Sequence, residues 1–167
     1  MSPRARGFGL LDAVLGIALL SAGLLALLAA SHRAQQQARE LHHGQRAAAL
    51  LDDLAERMHL AQSLDDADVS TAYLHPWGAA LPSAPDCRLS PCAAPELARH
   101  DLAEWGQAVA QHLPQGRFSI KAVGQAAPLL SVVVAWQAGP ALSSVTPTAQ
   151  LADCPPPWQC LLIHIRP

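Results

Sequence analysis

An apolar stretch near the start of the chain constrains it more than any other feature. From Phe8 to Ala30 the only charged residue is Asp12. At 1.5 Å per residue these 23 positions make a helix of roughly 34 Å, enough to cross a bilayer core of about 30 Å. Placing a carboxylate in hydrocarbon costs roughly 2.5–3.5 kcal/mol on insertion scales, so Asp12 calls for a cationic partner. In the intact chain the nearest cations are Arg4 and Arg6. A cut between Gly7 and Phe8 would instead create an α-amine four residues before the acid.

That arrangement, Arg4, Arg6 and Gly7 before Phe8 and an acid at the fifth position of the apolar helix, resembles the type IV pilin signal. The resemblance implies that a prepilin peptidase cuts after Gly7 and that the new N-terminus, Phe8, is methylated. It also makes Asp12 an assembly contact for that amine. The family carries Glu at this position, and here Asp12 is one methylene shorter. A secretory signal cut near Ala29–Ser31 and a plain single-pass anchor are the alternatives. Secretory apolar cores run only about 7–15 residues, and neither alternative explains an acid four residues into the run.

Composition narrows the rest. The chain has 167 residues, a net charge of −2 and only 14% charged residues, so it lacks the basic surplus of a nucleic-acid binder. Arg4 and Arg6 argue for a cytoplasmic N-terminus, while Arg33 and Arg39 argue weakly the other way. The cysteines break the tie. Cys87, Cys92, Cys154 and Cys160 all follow the apolar run as two close pairs, which reads as disulfides in a non-cytoplasmic domain. The chain is thus expected to cross the inner membrane once, with a periplasmic C-terminal domain. Four cysteines allow three pairings that sequence alone does not choose between. The local pairs Cys87–Cys92 and Cys154–Cys160 are the expectation, and a zinc site is disfavoured because four and five residues separate the pairs rather than two.

Helical character continues past Ala30. No proline occurs between Pro3 and Pro76, and Ala47, Leu50, Leu51, Leu54, Met58 and Ala61 recur on one face. One helix is expected from Phe8 to about Gln62, with Gly44 a point where it could bend. Residues 63–95 read as loop because of Asp65, Asp66, Asp68, Pro76, Pro82, Pro85 and Pro91. The acidic triplet lacks the glycine and terminal Glu of a calcium loop. A second helix is expected over Pro95–His112, with Ala98, Leu102, Trp105, Val109 and Leu113 as its stripe and Pro114 and Gly116 ending it. Strands are expected over Arg117–Val123, with Phe118, Ile120 and Ala122 on one face, over Leu130–Gln137, and over Leu161–Arg166, with Leu161, Ile163 and Ile165 on one face. Residues 138–158 read as loop. The fold class is α+β: a long N-terminal helix, membrane-spanning in its first half, packed on a small antiparallel sheet with a second helix. The organisation is a leader over 1–7, a membrane helix over 8–30, its amphipathic continuation over 31–62 and a globular domain over 63–167.

A narrower resemblance runs through most of the chain. Ser21 and Gly23-Leu24-Leu25, then Asp53 and Glu56-Arg57-Met58, Cys92 before Glu96-Leu97-Ala98, Asp101-Leu102, Trp105, Leu113-Pro114 with Gly116, and Val132-Val133-Val134-Ala135-Trp136 are similar to the PilV-like minor pilins, also called type IV pilus modification proteins. This implies a low-abundance assembly subunit at or near a pilus tip, with other pilins as partners through the N-terminal helix and no enzymatic activity of its own. A minor pseudopilin of type II secretion would share every N-terminal feature. An anchored periplasmic binding module with no filament role is the alternative of another class. The eight histidines are scattered without a paired metal-ligand spacing, and no phosphate loop or nucleophile elbow occurs, so neither a catalytic site nor a cofactor is expected. Trp105 and Trp136 read as core residues, and Trp77 and Trp158, among prolines, as candidates for a partner surface.

Overall fold

The computed structural model describes residues 8–64, 69–124, 129–137, 154 and 158–166. Residues 1–7, where a leader is expected, the acidic triplet at 65–68 and most of the proline-rich stretch over 138–157 lie outside them. The element order is α1 (Phe8–Leu64), a 3-10 turn (Ser70–Tyr73), α2 (Ala94–His112), β1 (Arg117–Val123), β2 (Leu129–Gln137) and β3 (Trp158–Ile165). This is the α+β layout expected. The chain divides into two compact units, Met1–Arg39 and Glu40–Pro167.

The first unit is helix throughout its described residues. From Gly9 to Gln35 every side chain is exposed, including eleven large aliphatic ones from Leu10 to Leu28. This stretch is long and apolar enough to cross a membrane. Its two serines satisfy themselves within the helix: Ser21 Oγ donates to the Ile17 carbonyl at 2.6 Å, and Ser31 Oγ to the Leu28 carbonyl at 2.9 Å. A hydroxyl bonded to its own helix does not need water, which suits a lipid surround.

The second unit holds the core. On α1, Ala47, Leu51, Leu54, Met58 and Ala61 are each at most 1% exposed, and their 4-3-4-3 spacing is one face of a helix. Leu50 packs against that core from its margin. The helix continues unbroken through Gly44. On α2 the stripe Ala98, Leu102, Trp105, Val109 and Leu113 is buried as expected. Gly106 is buried beside it, because a Cβ there would run into the Leu81 side chain and the Phe118 ring. Trp105 is 1% exposed, its ring meets Phe118 edge-on at 4.8 Å, and its Nε1 donates to the Leu50 carbonyl of α1 at 2.6 Å. Trp136 is likewise in the core, at 5% exposed.

The ends of α2 show how local chemistry sets boundaries. Pro95 sits in the first turn, where a missing N–H costs nothing. The Glu96 carboxylate accepts the Ala93 N–H at 3.1 Å, but Ala93 has no side-chain acceptor, so only half of a capping box forms. At the far end Gln115, not a glycine, takes the left-handed conformation, with φ of 51°. Gly116 is required for a different reason, since a Cβ there would collide with the Val109 carbonyl.

The sheet is antiparallel throughout, in the order β1-β2-β3. β2 is central and buried on both faces, as its apolar run from Val132 to Trp136 requires. Leu130, Val132, Val134 and Trp136 point into the core shared with α1 and α2, while Val133 and Ala135 are buried on the other side. Ile165 joins the same core, with Leu161 and Ile163 packed at its edge. Two expectations are corrected. Ala122 is exposed, because the core contacts of β1 end at Ile120. The region expected to be loop holds the 3-10 turn and a bridge between His75 and Ile120, whose backbones exchange hydrogen bonds of 3.0 and 2.8 Å. Val69 and Tyr73, fully buried there, are core residues that alternation and helical spacing do not reveal.

Candidate functional site

The residues singled out by sequence fall at three places. The first is the start of α1. Phe8 is its first residue, Gly7 lies outside the described residues, and Asp12 stands one turn further on, exposed. Helical rise places the Asp12 Cα about 6 Å along the axis from that of Phe8. Helical side chains lean toward the N-terminus, so the carboxylate is directed back toward the level of the Phe8 nitrogen. Among the described residues Asp12 has no ion-pair partner. Gly9, Gly16 and Gly23 recur every seven residues on nearly the same face as Asp12, with open space around each. A glycine row of this kind lets another helix backbone approach closely. The spacing is visible in the sequence, yet it is masked there by the many alanines and leucines between.

The second place is a lattice of charges joining α1 to α2. Arg57 Nε donates to Asp53 Oδ2 at 3.0 Å, and its Nη1 lies 3.4 Å from both Asp101 Oδ1 and Glu104 Oε2. Glu104 also pairs with Arg88, and His100 Nε2 lies 3.6 Å from it. Burial raises the Asp101 carboxyl above its ordinary range, against the pull of Arg57 and His100. Burial alone would lower Arg57, but Asp53, Asp101 and Glu104 together hold it above its ordinary value. Tyr73 is raised by its own burial, and its hydroxyl has no hydrogen-bond partner among the described residues. Three residues of the PilV-like pattern, Asp53, Arg57 and Asp101, thus meet in one ion-pair group. Met58, Leu102 and Trp105 of the same pattern lie in the core beside it. These side chains hold the two helices together.

The third place is the pair of disulfide loops. Cys87 bonds Cys92, with Cα atoms 5.4 Å apart, and Cys154 bonds Cys160, with Cα atoms 6.0 Å apart. No free thiol exists among the described residues. In the first loop the Arg88 N–H donates to Asp86 Oδ1 at 3.0 Å, an Asx turn that shapes the chain within the bridge. Of the two loop tryptophans, Trp77 is half-buried. Trp158 does not lie in a loop: it opens β3, half-buried, with the Arg117 guanidinium 5.1 Å from its ring centroid. β3 extends three residues further toward the N-terminus than expected because the Cys154–Cys160 bond and the Arg117 contact hold that end.

No protein-family model, no curated protein and no solved structure matches this chain.

Proposed function

We propose that this chain is a minor pilin-like subunit, cut after Gly7 and built into a type IV pilus through the first half of α1. The observation that carries the reading is the Gly7–Phe8–Asp12 register at the head of an apolar helix whose side chains are exposed over its first half. Such a helix needs lipid before assembly and other apolar helices after it. In either surround Asp12 needs a cation, and a Phe8 amine freed by prepilin peptidase supplies one within about a turn. The charge lattice and the two disulfides support a structural role for the globular unit, with other pilins as partners and a periplasmic location before assembly.

Mass spectrometry of the mature N-terminus, in cells with and without prepilin peptidase, tests this. We expect a chain beginning at methylated Phe8 only when the peptidase is present. An intact leader, or a start near Ser31, in peptidase-positive cells would sink the reading.

A further inference from the structure

The 3-10 turn, the segment after it as far as Pro82, and the first two turns of α2 border an open cleft of about 550 Å³. Its lining mixes polar groups, Thr71, His75 and Arg99, with Leu74 and the stiff prolines Pro76, Pro82 and Pro95. His75 lines it while being only 6% exposed. That residue is held on both sides: its backbone bridges Ile120, and its ring stacks on Phe118 at 4.5 Å. Burial also holds the imidazole below its ordinary pKa, hence uncharged at neutral pH.

Among the described residues one charged side chain lines the cleft, Arg99, and no Asp or Glu does. Arg99 is exposed and has no ion-pair partner among the described residues, whereas Arg57 and Arg88 each hold carboxylates. The nearby helix start is not the cationic element, because the Glu96 carboxylate already engages the Ala93 N–H there. The cleft therefore presents a guanidinium with no ion-pair partner among the described residues, beside Leu74 and three prolines.

We propose that this cleft binds the carboxyl end of a peptide whose last residue is aliphatic. The carboxylate would take paired hydrogen bonds from Arg99, a geometry for which guanidinium is suited and ammonium is not. The aliphatic side chain would lie on Leu74 and the prolines. Walls of fixed φ need little ordering on binding, which favours even a small ligand. This site does not depend on the filament reading.

The test is an NMR titration of the full chain in nanodiscs with N-acetyl-leucine, with N-acetyl-leucinamide and acetate as controls. We expect saturable shifts at the Leu74 and Arg99 amides with N-acetyl-leucine, and affinity about tenfold or more weaker for either control. Arg99→Gln is expected to weaken binding by about tenfold or more and Arg99→Lys by less. Leu74→Asp is expected to abolish binding while resonances away from the cleft stay in place, since Leu74 is 42% exposed and its replacement leaves the core intact. An absent saturable shift, an equal response to acid and amide, or unchanged affinity in Arg99→Gln would each overturn the proposal.

Discussion

Arg57 stands on α1, yet two of its three carboxylate partners belong to α2. The members of this group are unequal. Asp101 is the most buried of the three acids, and burial works against its charge. Asp101→Asn is therefore expected to change stability by less than about 1 kcal/mol, because Arg57 keeps Asp53 and Glu104. Arg57→Ala leaves Asp101 and Glu104 facing each other without that cation and is expected to cost about 1–3 kcal/mol, read by urea denaturation. In the core Leu54, fully buried, is expected to cost about 2–5 kcal/mol on replacement by Ala. His75 governs acid sensitivity. Its folded pKa lies below the ordinary value near 6.5, so the unfolded chain takes the proton first. Its contribution to stability is full above about pH 6.5 and is lost as pH falls through the folded value. Asp101 has the opposite sign: its raised pKa favours the fold below the ordinary carboxylate range and is lost as pH rises through the folded value. Melting temperatures from pH 7.5 to 5 should fall for the native chain and fall less for His75→Gln; an unchanged slope would remove His75 from this role.

At the scale of elements, α1 is one helix under two sets of demands. Its first half carries no buried residue over Gly9–Gln35, and its second half buries a heptad-spaced face. Both halves were legible in the sequence, since apolar content and 3-4 spacing are local properties. The 3-10 turn and the His75–Ile120 bridge were not, because they exist only where a segment without helical or strand periodicity meets the edge of β1. Ala122 failed for the converse reason. Its alternation with Phe118 and Ile120 is correct, but β1 runs past the end of the core there. The disulfide loops belong to this scale too. Closing a loop as short as Cys87–Cys92 restricts the unfolded chain by about 2 kcal/mol, so Cys87→Ser with Cys92→Ser should lower the unfolding free energy by about that amount and leave the α2 core packed.

For the whole molecule, the question is what α1 does with Asp12. If the acid pairs with the Phe8 amine of its own or a neighbouring subunit, Asp12→Ala should be processed normally but fail to enter filaments. Asp12→Glu, reaching one methylene further, should assemble. Immunoblots of sheared pili against whole-cell fractions read both outcomes, and normal incorporation of the Ala variant would remove the pairing mechanism. Leader cleavage is read separately, so a failure of pairing does not by itself decide the processing step.

The sequence alone determined the membrane-length helix, the amphipathic face that follows it, the position of α2 and the three strands, and the grouping of cysteines into close pairs. These depend on hydropathy, periodicity and the placing of proline and glycine, which act over a few residues. The tertiary structure decided which of those groups meet. It brought Arg57 to Asp101 across 44 positions, set Trp105 against the Leu50 carbonyl, buried Val69 and Tyr73, and placed Arg99 at the border of a cleft. Contacts between distant segments follow from packing one face against another, and no local pattern in a single chain encodes them.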